Sequence, residues 1–517
     1  MLTLALKPGH DGSVAAIEDG QLLWCLEPEK DSFYRYSALT PSTILDLAEN
    51  MGALPDVVAL GGWSRTRELG HVGAGYLDAT GVETHSSRFF GKEVKYFTSS
   101  HERSHLMMAL GMDAPADDNL ISVLVWEGVI GAFYVFDRHW ELLRKIPVME
   151  NPGGRYAFLF ALADPSFPDR GARPGREVSG KLMALAAFGD PADATPAIVA
   201  VVDQLLSVDL YNLSLKATFE GSVLHNAGVE SHVVKTAAAL LSRRIFDAFA
   251  AVALVQLPAG SPLRISGGCG LNCDWNSAWG DLGHFSSVFV PPCANDSGSA
   301  IGTAIDAAAY YGDRRQLNWS VYSGLEFVHD TSPSADRWIR RPLIERDLAA
   351  TVVDGHVVAF VQGRWEMGPR ALGHRSLLAE PYTSATKDRL NAIKRRESYR
   401  PIAPCCRVED LSKAFVEDFH DPHMLYFRHV RANSLRAVTH VDGSARAQSV
   451  TEASNPRLHG VLDAFAAQTG LGVLCNTSLN FNGTGFINRM SDLVAYCEAR
   501  GIDEMVIDGD WYSRRPE

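Results

Sequence analysis

The chain has 517 residues, and 48 Lys and Arg against 61 Asp and Glu give it a formal net charge of −13. Apolar residues at 46% and charged residues at 21% are ordinary globular values, so extensive disorder, collagen-like repetition and coiled coil are excluded. The acidic balance argues against nucleic acid or an anionic membrane as the main partner. The length predicts two or three domains.

The compartment is predicted from the first residues and from the cysteines. Only Lys7 interrupts the short apolar run before Pro8-Gly9, which is not the order of a signal peptide. No apolar run reaches the 18 residues that a membrane span needs. The eight cysteines have neither a disulfide framework nor zinc-site spacing. These features predict reduced thiols in a cytoplasmic protein.

The chain opens with three predicted strands, at Leu2–Lys7, 14–17 and 22–26, and Asp19-Gly20 marks a hairpin between the last two. A similar strand–turn–strand unit recurs at 121–136 with Glu127-Gly128 at its turn. The recurrence favours a duplicated domain. Each glycine turn would let the backbone approach a bound ligand closely.

Helices are predicted between and after these units, at 43–51, 100–112 and 230–257, and a strand follows at 262–266. Residues 312–350 are polar and predict an irregular connection, after which a strand begins at 357. Alternating helices and strands indicate an α/β fold. We therefore predict a larger domain over residues 1–340 and a smaller one over 341–517.

The chain contains a basic segment that its negative net charge does not reveal. Residues 364–407 contain ten Lys and Arg against four carboxylates, and Arg is the commoner cation. The string GRWEMGPRALGHRS, which we call the Gly/Arg string, interleaves glycines with Arg364, Arg370 and Arg375. Guanidinium groups suit bidentate capture of phosphate and carboxylate. A small anionic substrate fits this string better than a solvated helix face, whereas Lys394 to Arg396 alone are open to either interpretation.

The sequence HERSH, from His101 to His105, matches the zinc-peptidase pattern HExxH. On a helix the two histidines lie at i and i+4 and can share one metal, with Glu127 and Asp296 as candidate carboxylate ligands. No third ligand follows at peptidase spacing, so a metal site without peptidase chemistry is favoured. Two surface histidines remain the alternative.

Three further strings have the character of ligand-binding turns. Residues 264–272, RISGGCGLN, follow a strand and precede a helix, an arrangement that suits nucleotide contact through backbone N–H groups. Lys181 lies at a predicted helix start, where an anion is also stabilised. Asn476 opens the polar run NTSLN after a strand, which is either a simple turn or the rim of a ligand site.

Together these strings resemble one family, the ATP-dependent O-carbamoyltransferases of antibiotic and nodulation-factor biosynthesis. The matching pieces occur in the family's order over nearly the whole chain: GHDGSVAAIEDG, the histidine pair, VSGKLMALAAFGDP, ISGGCGLNCDWN, CANDSGSAIGTA, GRWEMGPRALGHRS, YRPIAP, VDGSARAQSV and NTSLN. The compact length and the string LEPEKDSFYRYS look most like the members that act on the 3-hydroxymethyl group of a cephem.

The resemblance implies an actin-like N-terminal module and a C-terminal module similar to threonylcarbamoyl-AMP synthases. In the family the C-terminal module makes carbamoyl adenylate from carbamoyl phosphate and ATP. The N-terminal module, which bears iron, transfers the carbamoyl group to a hydroxyl of a small molecule. The resemblance thus implies ATP with accompanying Mg²⁺, carbamoyl phosphate, a divalent metal and a hydroxylated acceptor, without nucleic acid or membrane.

The resemblance also implies roles for particular residues. His10 would be the base that takes the hydroxyl proton, and His101, His105 and Asp296 would hold the metal. Glu127 stands where the family has aspartate, so its part as a fourth ligand is open. The remaining positions are the adenylate contacts Lys181, Gly267, Gly268, Gly270 and Asn272, and the carbamoyl phosphate and ATP contacts Arg364, Arg370, Arg375, Lys394, Arg400, Arg446 and Asn476, with Arg370 also assigned to catalysis.

Three other hypotheses compete with carbamoyl transfer. Duplicated hairpins and glycine turns are also typical of small-molecule kinases on an actin-like fold. HERSH alone would support a zinc peptidase. A non-catalytic protein that senses an anion would bind ATP without turnover.

Overall fold

A computed structural model describes residues 1–31, 34–62, 74–113, 119–209, 215–312 and 314–516. It divides into two compact units. The larger unit comprises Met1–Ala114, Pro291–Thr439 and Gly443–Glu517, and the smaller unit comprises Pro115–Val290 and His440–Asp442. Both units combine helices and strands, so the α/β prediction is confirmed.

The larger unit begins with a six-stranded sheet of order β3-β2-β1-β4-β6-β5. Its strands are β1 Leu2–Lys7, β2 Ser13–Glu18, β3 Gln21–Leu26, β4 Val57–Gly61, β5 Val82–Phe89 and β6 Lys92–Ser99. The first three strands are antiparallel neighbours, and β4 and β6 run parallel to β1. Asp19 and Gly20 both have positive φ, at 50° and 79°, as a tight hairpin turn requires, so the predicted hairpin is confirmed.

Three helices accompany this sheet: α1 Pro41–Asn50, α2 His101–Met112 and α8 Ser299–Tyr310. Helices α2 and α8 pack closely because Gly302 has no side chain; a Cβ there would lie 1.9 Å from the Ser104 carbonyl oxygen. Ser104 Oγ and Thr303 Oγ1 are hydrogen-bonded at 2.8 Å, and the Arg103 guanidinium donates two hydrogen bonds of 2.6 and 2.8 Å to the Asp306 carboxylate. These contacts fix the start of α2 relative to α8.

The smaller unit contains a sheet of order β11-β10-β7-β8-β9. Its elements are β7 Leu120–Trp126, β8 Gly131–Asp137, β9 Leu142–Pro147, β10 Leu263–Ser266 and β11 Val288–Phe289, with helices α3 Pro152–Ala163, α4 Val178–Ala186, α5 Pro196–Ser207, α6 His232–Gln256 and α7 Cys273–Asp281. The antiparallel meander β7-β8-β9 is followed by parallel β10 and β11. Since the strands β3-β2-β1-β4-β6 of the first sheet have the same order and directions, with β5 as an addition, the predicted duplication is confirmed.

The rest of the larger unit is built on an eight-stranded sheet of order β12-β21-β20-β13-β14-β19-β15-β18, beside the small pair β16-β17. The strands are β12 Trp338–Pro342, β13 Val358–Val361, β14 Arg375–Ala379, β15 Ala403–Arg407, β16 Arg428–His429, β17 Ser444–Ala445, β18 Gln448–Val450, β19 Val473–Ser478, β20 Glu504–Ile507 and β21 Asp510–Arg514; the helices are α9 Glu345–Val353, α10 Ser384–Ile393, α11 Leu411–Ala414, α12 Pro456–Thr469 and α13 Met490–Arg500. Apolar side chains cover both faces of this sheet.

The prediction of an irregular connection over 312–350 is wrong at its end, where β12 and the start of α9 lie. Strand β12 is an edge strand with only Trp338 buried, and α9 buries only Leu348, Ala349 and Val352, so neither has a strong apolar pattern. The border predicted at residues 340 and 341 lies inside β12. The division into a transfer domain and an adenylate-forming domain stays a prediction.

Two further observations concern the cysteines and the helices. All eight cysteines are buried and none forms a disulfide. Among the described residues, no helix has the length and apolar character that crossing a bilayer requires.

Candidate active site

Asp296 lies at the centre of a cluster of basic side chains in the larger unit. Its Oδ1 atom is 3.6 Å from His101 Nε2 and 3.4 Å from His105 Nε2. Its Oδ2 atom is 3.3 Å from Lys7 Nζ and 3.5 Å from His10 Nδ1. Within the larger unit, the structure therefore brings together the predicted base and the three predicted metal ligands that this unit contains.

The two histidines are placed by the first turns of α2. Ser100 caps the helix by accepting the Arg103 N–H at 3.0 Å, and the rings of His101 and His105 meet edge to face with centroids 4.7 Å apart. Tyr76 stacks on His101 with centroids 4.4 Å apart. Both histidines are fully buried, so the interpretation as surface histidines is wrong.

Glu102, the glutamate of the HExxH pattern, has a structural role. It is fully buried, and its Oε2 accepts the backbone N–H of Asp78 at 3.0 Å. This bond holds the segment before the β5 strand against α2. The glutamate is thus incidental to the metal pattern, which agrees with the prediction of a metal site without peptidase chemistry.

Lys7 was not among the predicted site residues. Its side chain is fully buried at the end of β1, beside Asp296, and its ammonium also donates to the His10 carbonyl oxygen. Burial alone raises the pKa of the Asp296 carboxyl, but Lys7, followed by His101 and His105, outweighs burial and holds that pKa well below its usual range. Asp296 is therefore an ionised carboxylate at neutral pH.

His10 is oriented by its neighbour Asp11. The His10 Nδ1 atom lies 2.8 Å from Asp11 Oδ2, and Asn295 Nδ2 donates to Asp11 Oδ1 at 3.3 Å. Asp11 is nearly buried, whereas the His10 side chain is 44% exposed. A bond from Nδ1–H to the carboxylate leaves Nε2 as the basic atom, in a position that solvent or a substrate can reach.

The residues around Asp296 fit a metal ion. His101, His105 and Asp296 each offer one ligand atom, and these atoms lie within 4.8 Å of one another. Two imidazoles and a carboxylate are a donor set suited to iron, manganese or zinc with an open position. Glu127 lies in the smaller unit, buried at the end of β7, where its Oε1 accepts the Ile130 N–H at 3.4 Å. Its role as a fourth ligand stays a prediction.

The predicted adenylate contacts lie in the smaller unit. Gly267 has φ of 95°, and a Cβ there would lie 2.3 Å from the Trp126 carbonyl oxygen, so only glycine allows this turn. Asn272 caps α7 by accepting the Asp274 and Trp275 N–H groups. Lys181 lies one turn into α4. The strand–turn–helix context is confirmed, and the ligand contacts of Lys181, Gly267, Gly268, Gly270 and Asn272 stay predictions.

Two arginines of the Gly/Arg string use their guanidinium groups for hydrogen bonds within the protein. Arg375 is fully buried and all its N–H groups donate within the protein: Nε and Nη2 to Asn488 Oδ1, Nη1 to the Gln362 and His374 carbonyls, and Nη2 also to the Gly363 carbonyl. Burial lowers its pKa to about 10. The prediction of Arg375 as a phosphate contact is wrong, because no donor is left.

The guanidinium group of Arg364 also donates hydrogen bonds within the protein. Its Nε donates to the Gly324 carbonyl at 2.6 Å, and its Nη2 donates to the Leu23 and Ser323 carbonyls at 2.7 and 2.9 Å. These bonds join β3 to the segment before the C-terminal sheet. Arg364 therefore holds this segment in place, a role that charge alone did not reveal.

A second cluster of cations lies after α10. Lys394 donates to Ser478 Oγ at 2.9 Å and also to Asn480 Oδ1. Burial lowers the pKa of Lys394 well below its usual range, and the charges of Arg396, Arg35 and Arg400 lower it further. The positive charges of these arginines therefore act on the buried Lys394 ammonium.

Arg396 and Arg400 extend this cluster. Burial lowers the pKa of Arg396 to about 9, and Arg400 and Arg446 lower it further. The carboxylate paired with Arg400 is Glu397, at 3.8 Å. We call Lys394, Arg396, Arg400 and Arg446 the cation cluster. It is a ready site for an anion with several oxygens.

The cation cluster combines predicted and unpredicted residues. Lys394, Arg400 and Arg446 are predicted contacts that the structure brings together, whereas Arg396, Ser478 and Asn480 were not predicted. The last two stand inside the string NTSLN, and the hydrogen bonds of Lys394 could not be read from their spacing. Arg370 lies on the string directly before Ala371, whose carbonyl accepts from Asn476 at 3.2 Å.

Gly368 of the Gly/Arg string is clamped by residues that follow β3. Glu27 Oε1 accepts the Gly368 N–H at 2.8 Å, and Lys30 donates to the Gly368 carbonyl oxygen. Glu27 and Lys30 are both buried. A Cβ on Gly368 would lie 2.2 Å from the Pro292 carbonyl, so this glycine lets the string pass beside the segment that leads to Asp296.

Known proteins resemble this chain over most of its length. The family model "Carbamoyltransferase N-terminus" matches residues 92–305, and "Carbamoyltransferase C-terminus" matches residues 349–514. The chain is 63% identical to a 3'-hydroxymethylcephem-O-carbamoyltransferase of Streptomyces clavuligerus over 99% of both chains. It is 32% identical to Nodulation protein U of Bradyrhizobium diazoefficiens, over 99% of this chain and 97% of that one. Among solved structures, a ROK family glucokinase from Streptomyces griseus is 14% identical and covers 60% of this chain and 100% of its own, with a TM-score of 0.29.

The chain belongs to the carbamoyltransferase family, and it is an enzyme of that class. The predicted family is confirmed by matches over both halves. Kinase, peptidase and non-catalytic alternatives are set aside by this membership and, for the peptidase, by the structural role of Glu102.

Proposed function

We propose that the protein makes carbamoyl adenylate in its C-terminal part and transfers the carbamoyl group to the 3-hydroxymethyl group of a cephem. The observation that carries this proposal is the presence of two chemically different clusters in one carbamoyltransferase. The cation cluster suits phosphate groups, and the Asp296 cluster suits a metal and a base. The acceptor is proposed from the relative of 63% identity, whose name specifies that substrate.

In the first half-reaction, ATP, carbamoyl phosphate and water give carbamoyl adenylate, phosphate and pyrophosphate. The reaction brings several phosphate groups together, and their repulsion is offset by the cations Lys394, Arg396 and Arg400. Arg446 and Arg370 would complete the anion contacts. Mg²⁺ accompanying ATP would share this neutralisation.

In the second half-reaction, the acceptor oxygen bonds to the carbamoyl carbon, and the carbon–oxygen bond to AMP breaks with its electrons staying on AMP. The hydroxyl proton goes to His10 Nε2, which Asp11 orients through Nδ1. His101, His105 and Asp296 would hold a divalent metal, iron in our proposal, which would supply a positive charge to polarise an oxygen of carbamoyl adenylate. AMP is a good leaving group because its phosphate carries the negative charge.

The test separates the two half-reactions. Full-length protein with ATP and carbamoyl phosphate should release pyrophosphate, and adding the 3-hydroxymethyl cephem should give carbamoylated product and AMP. A His101→Ala variant should lose metal and product formation but keep pyrophosphate release. ATP turnover at the same rate with and without carbamoyl phosphate would refute the adenylate mechanism. Carbamoylation of other hydroxylated acceptors but not of the cephem would refute the proposed acceptor.

A further inference from the structure

A network of hydrogen bonds leads into the larger unit from Asp11, the carboxylate that orients His10. Asn295 Nδ2 donates to Asp11 Oδ1 at 3.3 Å, and Asn295 Oδ1 lies 3.2 Å from Ser297 Oγ. The Ser297 side chain is in turn hydrogen-bonded to that of Glu27, which directly follows β3. Ser297 and Glu27 are both buried. We call Asp11, Asn295, Ser297 and Glu27 the Asp11 network.

The hydrogens of the Asp11 network can be assigned from one end to the other. The Asp11 carboxylate only accepts, so Asn295 offers its nitrogen to Asp11 and its oxygen to Ser297. That amide oxygen also only accepts, so the single hydroxyl hydrogen of Ser297 is directed to it. Ser297 then has only lone pairs left for Glu27. The network is complete when Glu27 is protonated and donates to Ser297.

The surroundings of Glu27 agree with a protonated carboxyl. Glu27 Oε1 accepts the Gly368 N–H at 2.8 Å, which leaves the other oxygen to carry the proton. Burial raises the pKa of Glu27 above its ordinary value, against the opposing charge of Lys30. The Lys30 ammonium has acceptors other than Glu27, because it donates to the Gly368 carbonyl and lies 3.9 Å from Glu29 Oε1.

The turn at residues 295–297 is packed too closely to exchange these partners. Cys293 Sγ lies 3.6 Å from Met367 Sδ, and both side chains are buried. A Cβ on Gly298 would lie 2.1 Å from the Cys293 carbonyl oxygen and 2.3 Å from Met108 Sδ of α2. The turn is therefore held on both sides, and its polar side chains keep the positions from which they reach Asp11 and Glu27.

We infer that Glu27 is a positioning residue which, in its protonated form, fixes the orientation of the base His10 through the Asp11 network. This inference rests on the proposed function, in which His10 takes the hydroxyl proton of the acceptor. When the network is broken, the Asp11 carboxylate is held on one side only and can rotate. The imidazole that it orients then no longer points its basic nitrogen at the hydroxyl, and a small misplacement of a catalytic group lowers a rate strongly.

The test follows pyrophosphate release and carbamoylated product separately in single turnovers of the full-length protein, with the 3-hydroxymethyl cephem or another hydroxylated acceptor that the wild-type protein carbamoylates. Ser297→Ala breaks the network in its middle and leaves the Gly368 contacts in place. It should slow product formation at least about tenfold and keep pyrophosphate release and metal content within about twofold. Ser122→Ala is the matched control, since Ser122 is also a buried serine, hydrogen-bonded to Ser261 at 3.0 Å, and should keep the wild-type rate.

Glu27→Gln tests the protonated form directly. An amide accepts from Gly368 and donates to Ser297 as a neutral carboxyl does, so this variant should keep product formation within about threefold. Glu27→Ala removes the donor and should be at least about tenfold slower. A Glu27→Gln protein as slow as Glu27→Ala would refute the inference, because the negative charge of Glu27 would then be the property that matters.

A double variant decides whether Glu27 acts through Ser297. Glu27→Ala combined with Ser297→Ala should be no more than about twofold slower than the slower single variant, because one network can be broken only once. Effects that multiply, or a Ser297→Ala protein at the wild-type rate, would overturn the inference. Glu27→Leu, which keeps the bulk of the side chain, replaces Glu27→Ala if melting shows that the latter does not fold. Wild-type protein that forms product without releasing pyrophosphate would overturn the adenylate mechanism, whereas the product rates of the variants would still decide this inference.

Discussion

Replacing Lys7 by methionine should impair carbamoyl transfer and leave carbamoyl adenylate formation intact. Methionine keeps most of the length of the side chain but removes the charge 3.3 Å from Asp296 Oδ2. The buried carboxylate then loses the neighbour that most strongly favours its ionised form. Its pKa rises, so at neutral pH it becomes a poorer metal ligand and a poorer partner for His10.

The expected loss of stability can be bounded from known ion pairs. Removing one partner of a buried pair costs about 3–5 kcal/mol in unfolding free energy. We expect about 3 kcal/mol here, because His10, His101 and His105 still face the carboxylate, and about 1 kcal/mol corresponds to about 1–2 °C in Tm for a unit as large as this one. The predicted shift of Lys7→Met is therefore on the order of 3–6 °C.

Lys92→Met supplies the matched control. Lys92 pairs with Asp56 at 2.8 Å, but both side chains are exposed, and such surface pairs contribute about 0–1 kcal/mol. Thermal melts of both variants, with separate assays of pyrophosphate release and carbamoylated product, complete the experiment. Equal Tm shifts for the two variants, or loss of pyrophosphate release together with product in Lys7→Met, would refute the reasoning.

Three further predictions concern other parts of the chain. Lys394→Ala should lower pyrophosphate release at least about a hundredfold and leave bound metal unchanged, measured by metal analysis, because a charge-assisted phosphate contact is lost. Glu102→Gln should keep metal content and activity within about threefold, since the amide oxygen can still accept the Asp78 N–H. Burial, with the nearby charge of Asp442, raises the pKa of Asp274 to about 7. The folded state therefore holds this proton to higher pH, stability falls as pH rises from about 4 to about 7, and Asp274→Asn should flatten the dependence of Tm on pH over that range.

Each of these predictions has a result that would contradict it. Loss of pyrophosphate release in Lys387→Ala as well would show that general charge, rather than the buried ammonium of Lys394, carries the effect. Abolished transfer in Glu102→Gln with metal retained would make the glutamate a catalytic group. An unchanged slope of Tm against pH in Asp274→Asn would mean that its carboxyl titrates normally.

Sequence alone predicted those features that depend on neighbours in the chain. Asp19-Gly20 identified its hairpin because a tight turn needs positive φ at both positions, and the pair at 101 and 105 was found because i and i+4 share a helix face. Asp296 was one candidate carboxylate among others, and only the family resemblance assigned it to the metal, since nothing local connects it to α2. Family matches confirmed the enzyme class, and the helices and sheets of the structure confirmed the α/β fold class.

Residues whose role depends on distant partners were missed or misassigned. Lys7 has the appearance of a surface lysine at a strand end, and only the fold brings Asp296 beside it. Arg375 looked like a phosphate ligand, but its guanidinium is taken up by Asn488 and nearby carbonyls. A sequence shows which residues carry charge. Only the folded structure shows whether their hydrogen-bond donors already have acceptors within the protein.

The core of the first sheet has a consequence for cutting the chain. Its buried residues Leu4, Val14 and Trp24 pack in one apolar cluster with Trp365 and Phe486 from the other end of the sequence. Lys30, besides clamping Gly368, lies 4.1 Å from the centre of the Phe486 ring. A fragment ending near residue 340 would leave this cluster open to water, and the complementary fragment would expose its own aromatic residues. The two halves should therefore be soluble when they are produced together and should aggregate when they are produced apart, because each half leaves part of the shared apolar cluster uncovered.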